Sequence, residues 1–563
     1  MKISSLIFYA AFIVFFGAFL FYPISFALIR AFWIKKEETW SFTPAFFLGV
    51  FTDPVQRESI LNSFWLAVTV TITSTLVALP LSWIAVKFRF RGKGLLNALL
   101  LVPMILPPFV GAIGMRKVFA RYYGSANLLL SKLGLVDQGN LIDWFGAWSF
   151  VGVVVLETLH LYPIMYLNLS AAFANIDPSM EEAARNLGDT GFSLFRRVTF
   201  PLLMPGFFAG GTIVFIWAFT DLGTPLMFGY RRVVAVQIFD RLKEIETNPQ
   251  GYALVVVVLL ATVILFLLSK RFFQGETYSM MSKGGRGASE EKPSAVGAAC
   301  IYVVYATVIG AAMVPHIGVV LTSLSEKWFM SVVPESWTLD HYNAALSHPM
   351  TLPSISNSIF YSSLSTLLDI LIGVIVAYML VRRKLKGSNV MDAIVMLPLA
   401  LPGVVLAFGY VGSFSGTLLD PRDNPIPLLV ISYGVRRLPY VVRAAIAGLE
   451  QVSESFEEAS LNLGASPLRT SVKITVPLIG ANLIAGGILA FSFAMLEVSD
   501  SLILASTEQY YPITKAIYQL FGRLGDGPYI SSALGVWAMV FLTLSLMAAS
   551  IALGKKMGEI FRM

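Results

Sequence analysis

Charge is scarce in this sequence. Asp, Glu, Lys and Arg make up 13% of the 563 residues, whereas about a quarter is usual for a soluble protein. Hydrophobic residues make up 56%, and they recur in runs of roughly 20 or more, the length at which a helix crosses a bilayer. The strands of a β-barrel would instead show short alternating segments. The composition therefore excludes a largely soluble protein and predicts an all-α integral membrane protein.

The sequence has one cysteine and none of the common catalytic motifs considered below. A single cysteine, Cys300, excludes intrachain disulfides and cysteine-rich metal sites. No phosphate-binding loop of the Gly-x4-Gly-Lys-Ser/Thr type occurs, so the chain cannot itself supply ATP hydrolysis. No His-Glu-x-x-His or Ser/His/Asp arrangement indicates an intramembrane enzyme. We therefore expect no catalytic residue, no resident metal and no cofactor in this chain. The net charge of +7 indicates basic cytoplasmic loops rather than nucleic-acid binding.

Twelve apolar segments can be counted, six in each half of the chain. All should be helices, because lipid satisfies no backbone hydrogen bonds. The first run, from Leu6 to Ala31, is too long for a typical signal peptide and has no clear cleavage site, so it is predicted to be a retained first helix. The predicted segments are 4–33, 60–87, 95–118, 147–174, 203–228, 251–270, 296–325, 355–382, 388–416, 426–448, 478–505 and 530–554.

The charged loops predict how these helices are oriented. Basic residues concentrate between segments two and three, six and seven, and eight and nine, which fall on one side if the spans alternate. The positive-inside rule makes that side cytoplasmic, and it places both termini there. The basic residues concerned are Lys87, Arg89, Arg91, Lys93, Lys270, Arg271, Lys283, Arg286, Arg382, Arg383, Lys384 and Lys386.

The two halves repeat one another. Asn62-Ser63 matches Asn357-Ser358 at an offset of 295, and Gly210-Gly211 matches Gly486-Gly487 at an offset of 276. Because each half has six spans, both have the same orientation, which predicts a parallel duplication about a pseudo-two-fold axis along the membrane normal. The first half is expected at 1–270 and the second at 296–563. A Gly-, Ser- and Lys-rich cytoplasmic linker, 271–295, is expected to be flexible.

One polar stretch occurs in both halves without a gap, at 176–202 and about 452–478, on the predicted cytoplasmic side. In the first copy, Asp177 can cap a helix that begins with Pro178 and ends at Gly188. Thr190 can then start a second short helix that brings Phe192 and Phe195 together.

The second copy repeats this design with different residues. Ser453 is the expected cap, Gly464 the stop, and Ser466-Pro467 the restart. Each copy is called an elbow below: the first elbow is 176–202 and the second is 452–478. A helix–glycine–helix elbow on the membrane surface is rigid and projects a knob toward a partner.

The elbows resemble the signature loop of bacterial and archaeal ABC-importer permeases. That signature is Glu-Ala-Ala, three residues, Gly, nine residues, Ile, two residues and Pro-Leu. The first elbow matches it with Val for Ile, and the second with Ser for the second Ala. Any amphipathic loop between membrane helices can resemble one copy, but two copies in one register favour the family. The matching residues are Glu182, Ala183, Ala184, Gly188, Val198, Pro201, Leu202 and Glu458, Ala459, Ser460, Gly464, Ile474, Pro477, Leu478.

This resemblance implies partners and a location. In that family the loop docks in a cleft of the ATPase subunit, which implies two such subunits, an identical pair, that carry ATP and Mg²⁺. It also implies an extracytoplasmic solute-binding protein and the cell membrane of a bacterium or archaeon. The residues expected to couple to the ATPases are Glu181, Glu182, Ala183, Ala184, Gly188, Glu457, Glu458, Ala459, Ser460 and Gly464.

The fusion of both halves in one chain resembles the branch that imports ferric iron. Arg436-Arg437-Leu438-Pro439-Tyr440 followed by Arg443 also resembles that branch. Thiamine, an aminoalkylphosphonate, a polyamine or an inorganic anion are alternative substrates. A proton-coupled secondary transporter is the rival function, although it gives no reason for the repeated elbows. A membrane assembly or insertion factor is a further alternative.

Ionisable residues inside the apolar segments form a second candidate site. At the offset of 276, Asp221 matches Glu497 and His160 matches Arg436. The carboxylates can meet a cation or pair with the arginines, and we expect them to face the seam between the halves. The simpler alternative is that they form interhelical salt bridges. The candidate pathway residues are Glu157, His160, Asp221, Arg436, Arg437, Arg443 and Glu497, with Asp500 near a helix end.

Proline and glycine predict local features of the helices. Pro107-Pro108 and Pro402 should kink the third and ninth segments. The pairs Gly210-Gly211 and Gly486-Gly487 predict close helix packing, with a hinge as the alternative.

Overall fold

Helices dominate the molecule. The computed structural model describes residues 3–36, 39–104, 107–137, 139–146, 149–273, 290–383 and 387–553, and 78% of these described residues are helical. The strands among the described residues are β1 (Trp33–Lys36) and β2 (Thr39–Phe42), an antiparallel pair. The predicted all-α membrane fold is confirmed. Lys283, Arg286, Lys384, Lys386 and most of the predicted linker lie outside the described residues.

Each of the twelve predicted apolar segments coincides with a helix or a pair of helices. In chain order these are α1 (Phe8–Phe32), α2 (Pro54–Lys87), α3 (Lys93–Met104 and Pro108–Phe119), α4 (Phe150–Ala174), α5 (Gly191–Thr220), α6 (Gln250–Ser269), α7 (Ala295–Leu324), α8 (Thr351–Arg383), α9 (Ser388–Leu399 and Gly403–Ser413), α10 (Ile426–Gln451), α11 (Pro467–Leu478 and Gly480–Met495) and α12 (Gly527–Ser545).

Not all twelve segments satisfy the same test of length and hydropathy for a membrane span. Eight are single helices long and apolar enough to span it, and the bent pairs α3, α9 and α11 raise the count to eleven among the described residues. Helix α10 is long enough at 26 residues. However, it carries three arginines, so it is less apolar than the others.

Shorter helices connect these spans. They are Ala45–Thr52, Ser125–Lys132, Pro178–Asn186, Gly223–Phe228, Val234–Asp240, Asp340–Ser347, Ser455–Asn462, Ser499–Leu504 and Ile513–Phe521.

The predicted proline kinks are present and sharp. The two arms of α3 meet at 94° around Pro107-Pro108, and those of α9 meet at 98° around Pro402. Proline lacks the N–H that would continue the hydrogen-bond ladder, and its ring clashes with the preceding turn. A third bend, 74° in α11 before Gly480, was not predicted.

The compact units of the structure differ from the sequence halves. Among the described residues, one unit contains 3–57, 235–259 and 340–553, and the other contains 58–234, 260–273 and 290–339. We call them unit A and unit B. Helix α1 therefore belongs to unit A with most of the second half, and α7 belongs to unit B with most of the first half. The halves describe the duplication in sequence, whereas the units describe packing.

Close contacts hold α7 within unit B and α1 within unit A. In unit B, a Cβ built on Gly114 of α3 would lie 2.3 Å from the Pro315 oxygen of α7, and Gly318 meets Gly114 from the other side. In unit A, the Tyr410 hydroxyl of α9 donates to the Phe19 oxygen of α1 at 2.6 Å.

The paired glycines lie where helices pack closely. A Cβ on Gly210 would be 3.1 Å from the Asn168 Cβ of α4, and one on Gly486 would be 2.7 Å from the Ala444 Cβ of α10. Small residues at such positions let backbones approach. The predicted close packing is confirmed.

The end of the predicted linker is held against the loop that follows α2 in unit B. The Glu291 amide donates to the Lys87 oxygen at 2.9 Å, and the Arg89 amide donates to the Glu291 oxygen at 2.9 Å. Lys93 Nζ lies 2.8 Å from Glu290 Oε1. These contacts fix residues 290–291, although flexibility was predicted for the whole linker.

Candidate functional site

The first elbow folds as its local sequence predicts. Asp177 Oδ1 accepts a hydrogen bond from the Ser179 amide at 2.9 Å, at the start of the helix Pro178–Asn186. This bond stabilises the ionised carboxylate and so lowers the pKa of Asp177. Gly188 follows with φ 96°, a left-handed conformation that stops the helix.

The rest of the first elbow leads directly into α5. Helix α5 begins after Thr190 with the short helical stretch Gly191–Leu194 and continues through the wider turn Phe195–Thr199. The rings of Phe192 and Phe195 lie 6.3 Å apart, which confirms that they come together. The first elbow is therefore continuous with a membrane helix.

The second elbow differs from the prediction at its start. Its first helix is Ser455–Asn462, and its cap position is Glu454, which makes no side-chain capping bond. Ser453, the expected cap, accepts from the Ser455 amide at 3.3 Å, which is the bond that Asp177 makes with Ser179 in the first elbow. The offset places Glu454 where the first copy has a helix-starting proline, so the helix begins one residue later relative to the repeat.

The stop and restart of the second elbow match the prediction. Gly464 has φ 86°, and Ser466 Oγ accepts from the Arg469 amide at 3.3 Å. The short helix Pro467–Thr470 is the beginning of α11.

Both elbows expose the same apolar positions. Leu187 is 89% exposed and Phe192 is 76% exposed, and their equivalents at the offset of 276, Leu463 and Leu468, are 90% and 76% exposed. In each elbow the two side chains flank the stop glycine. Large apolar side chains exposed in a matched pattern are typical of a surface that a partner covers. We call Leu187 with Phe192, and Leu463 with Leu468, the elbow knobs.

The predicted coupling residues divide into exposed and buried groups. Glu182, Ala183, Gly188, Glu458, Ala459 and Gly464 are exposed. Ala184 is buried, unlike the neighbouring Ala183. Ser460 is half-buried, and its hydroxyl shares a hydrogen bond with Thr470 at 2.9 Å.

Glu181 and Glu457 are equivalent in sequence but have different partners. Glu181 is half-buried and accepts from Thr199 within its own elbow at 2.8 Å. Glu457 is buried, and Arg382 Nε and the Tyr378 hydroxyl of α8 each donate to it at 3.2 Å. Glu457 therefore anchors the second elbow and does not present its carboxylate outward.

Sequence reasoning missed this role of Arg382. The residue was counted as one of the basic residues of a cytoplasmic loop, whereas its side chain is 7% exposed and bound to the elbow. A buried, paired charge of this kind costs about 3–5 kcal/mol of stability when one partner is removed.

The intramembrane charges of the second half pair with one another in unit A. Arg436 Nη1 lies 2.7 Å from Glu497 Oε1 and 3.2 Å from Asp500 Oδ2. Arg437 forms an ion pair with the other oxygen of Glu497 and donates to the Phe493 oxygen at 3.0 Å. Of the two sequence alternatives, pairing with the arginines is the one found.

Two further charged residues differ from what the sequence predicted. Arg443 lies apart from that cluster, because it pairs with Asp392 at 3.1 Å and is 45% exposed. Asp369 of α8 is 1% exposed and interacts electrostatically with Arg437, and sequence reasoning did not select it. Its signal was present, since it is an acid within the apolar run Leu367-Leu368-Asp369-Ile370.

The charges of the first half lie together in unit B without such pairing. Glu157 of α4 is 2% exposed. Its carboxyl group interacts with the side chains of Asp221 and Thr224. Asp221 follows the end of α5 and accepts from the amides of Gly223 and Thr224 at 3.3 and 2.8 Å. His160 Nδ1 lies 3.1 Å from the Pro103 oxygen at the bend of α3.

Comparison with known families matches both halves of the chain. The family described as "Binding-protein-dependent transport system inner membrane component" matches residues 78–276 and again residues 369–553. The double match agrees with the duplication seen at constant offsets, and each matched range contains one elbow.

Individual relatives cover much of the chain. The ferric transport system permease protein FbpB of Actinobacillus pleuropneumoniae is 27% identical over 477 residues, covering 84% of this chain and 67% of that protein. The Fe(3+)-transport system permease protein FbpB 2 of Haemophilus influenzae is 24% identical over 458 residues, covering 81% and 82%. The molybdate/tungstate transport system permease protein WtpB of Pyrococcus furiosus is 32% identical over 217 residues, covering 38% and 81%.

The elbows, the membrane helices and the two family matches lead to one assignment. This chain is a multi-pass membrane protein that belongs to the family of binding-protein-dependent transport system inner membrane components, the permeases of ABC importers.

Proposed function

We propose that this chain supplies both permease halves of an ATP-driven importer of ferric iron. In this proposal a solute-binding protein delivers iron from outside the cell, and two identical ATPase subunits carry ATP and Mg²⁺ on the cytoplasmic side. The permease itself catalyses no reaction. Both of its termini and both elbows face the cytoplasm, as the positive-inside rule predicts.

The matched elbow knobs are the observation that carries the ATPase assignment. Two partners of one kind need two similar docking surfaces, and Leu187 with Phe192 repeats as Leu463 with Leu468. Glu182 and Glu458 are exposed beside them and supply a charge for each contact. Each elbow leads into a membrane helix, so closure of the ATPase pair would act on α5 and α11.

Ferric iron is the substrate best supported by the relatives. Two relatives that cover most of the chain are named as ferric permeases. The molybdate/tungstate relative covers 38% of the chain, and it supports the class of importer more than the substrate. Thiamine, an aminoalkylphosphonate, a polyamine and an inorganic anion remain alternatives to be tested.

Transport in proteoliposomes tests this function. The vesicles would contain this chain, its copurifying ATPase and the binding protein, and each labelled solute would be offered in turn with and without ATP. We expect ATP-dependent accumulation of iron alone. Accumulation of another solute would replace iron as the substrate. Uptake that follows a proton gradient and ignores ATP would contradict the importer and favour a secondary transporter.

A further inference from the structure

Asp221 and Glu497 are equivalent in structure as well as in sequence. Each follows the end of a membrane helix, α5 or α11, and each carboxylate accepts the amide three residues later. Asp221 Oδ2 accepts from Thr224 at 2.8 Å, and Glu497 Oε1 accepts from Asp500 at 3.2 Å. The short helices Gly223–Phe228 and Ser499–Leu504 that follow also correspond at the offset of 276. The two halves therefore present one carboxylate in one local geometry.

The two carboxylates have different neighbours. In the second half Glu497 lies between Arg436 and Arg437, and both guanidinium groups contact it. At the offset of 276 these arginines correspond to His160 and Leu161 in the first half. The first half thus has the acid and has neither guanidinium.

The first half instead brings a second acid to the same place. Glu157 of α4, whose equivalent is Tyr433, lies beside Asp221 and Thr224. His160 engages the Pro103 oxygen through Nδ1, so this ring nitrogen carries the proton. A second carboxylate therefore interacts with Asp221 at a position where the second half has a compensated cluster.

Polar atoms of this group are buried without partners. Glu157 is 2% exposed and Thr224 is fully buried. Glu157 Oε1 and Thr224 Oγ1 nevertheless make no hydrogen bond among the described residues. A buried carboxylate oxygen is costly unless a cation or a donor compensates it, and a cation satisfies the carboxylates and the hydroxyl together.

We propose that Glu157, Asp221 and Thr224 bind a hard metal cation, the transported ferric ion, where the second half has its arginines. Carboxylate and hydroxyl oxygens are the ligands that hard cations prefer. Among the described residues, no three His, Cys, Asp or Glu side chains are arranged to hold a metal. Water therefore completes the coordination, and the site is a transient one that releases its ion. The choice of iron rests on the proposed function; the binding of a cation does not.

Direct binding to the purified complex in detergent, without ATP, tests the site. Radioactive ferric iron, buffered by nitrilotriacetate, would be measured by equilibrium dialysis. The wild type should bind one ion per permease. Glu157→Gln with Asp221→Asn should weaken binding at least tenfold. Glu58→Gln is the matched control, because Glu58 is a partly exposed acid of the same unit that pairs with Arg232.

A second variant guards against a folding defect in the first. His160→Arg places a guanidinium where the second half has Arg436 and should occupy the site with its charge, while the buried Leu161 is left unchanged. It should also lose iron binding while its melting temperature stays near that of the wild type. Unchanged iron binding in both variants would overturn the proposal.

Competition by sodium tests whether the bound cation is the transported ferric ion or a co-transported ion. The dialysis would be repeated in sodium chloride and in choline chloride at equal ionic strength. Equal binding in both salts supports the ferric ion as the occupant, whereas displacement by sodium overturns that choice. If vesicles import no iron but the complex still binds a cation through Glu157, the proposed substrate fails and the site stands.

Discussion

Arg382 joins the second elbow to helix α8. Its Nε lies 3.2 Å from Glu457 Oε1, and its Nη2 donates to the oxygens of Leu449 and Val452 at 2.9 and 2.7 Å. One side chain thus fixes both the elbow helix and the end of α10 from which the elbow departs. The equivalent residue of the first half, at the offset of 295, is Lys87, whose Nζ lies 3.9 Å from Glu291 of the linker end. The two elbows are therefore anchored by different means.

Arg382→Ala should weaken transport more than it weakens ATPase binding. The elbow would keep its exposed knob but lose its link to α8, so ATP hydrolysis would move the elbow without moving the helix. Iron uptake per ATP hydrolysed should fall at least tenfold in proteoliposomes. Arg382→Lys should restore part of it, because a lysine keeps the charge but not the multiple donors.

Arg383→Ala is the matched control for that measurement, since Arg383 is exposed and adjacent. It should leave the coupling ratio unchanged. Equal uptake by the alanine variants of both arginines would show that Arg382 does not transmit force.

Replacing leucines of the elbow knobs by aspartate should weaken binding of the ATPase. Leu187→Asp with Leu463→Asp places charge on surfaces that we propose are covered by the partners, and desolvating a charge without a partner is costly. Both residues are about 90% exposed in this chain, so its folding should not change. The amount of ATPase that copurifies should fall at least tenfold. Leu418→Asp, at an equally exposed site in the loop after α9, should retain it. Full retention by the double variant would argue against docking at the knobs.

Gly114→Ala should destabilise the packing of α3 on α7. The new Cβ would lie 2.3 Å from the Pro315 oxygen and 2.8 Å from the Val319 nitrogen, both backbone atoms that cannot turn away. Overpacking of this kind costs about 1–3 kcal/mol, which thermal unfolding in detergent would measure. Gly310→Ala on α7 has nothing within 4 Å. It should be neutral or stabilising, because alanine favours the helix. Equal melting temperatures for both variants would contradict the close contact.

Acid should weaken the loop that follows α9 in unit A. Arg422 holds the pKa of Asp420 well below its usual range and lowers the pKa of Glu246. Because these folded-state pKa values are depressed, the stabilisation is complete above the unfolded-state values of about 4. It is lost as the pH falls through the folded-state values. The melting temperature should therefore be constant from about pH 6 to 8 and should drop below about pH 4. Asp420→Asn should lower the melting temperature at pH 7 and should reduce the drop in melting temperature below about pH 4. A drop identical to that of the wild type would contradict this assignment.

Local signals explain which features could be predicted from sequence. The first elbow follows from Asp177-Pro178 at its start and Gly188 at its end, each of which acts within a few residues. The bends of α3 and α9 follow from proline in the same way. The start of the second elbow was misplaced because Ser453 is not followed by proline, so the cap had no local reinforcement.

Long-range relationships could not be predicted in this way. Arg382 and Glu457 are separated by 75 residues, and nothing near either residue marks the other as its partner. The grouping of α1 and α7 with the opposite halves depends on contacts such as Gly114 with Gly318, which no periodicity encodes. The offset of 276 matched Asp221 with Glu497. Their different neighbours became meaningful only when the structure gave both the same local geometry.

The most direct test of the account is charge reversal at both elbows. Glu182→Lys with Glu458→Lys would be reconstituted with the ATPase and the loaded binding protein, and ATP hydrolysis and iron uptake would be measured together. If the elbows receive force from the ATPase, stimulation of hydrolysis by the binding protein and uptake should both fall at least tenfold, with an unchanged melting temperature of the permease. Wild-type stimulation and uptake in this variant would contradict the central claim that the elbows couple ATP hydrolysis to transport.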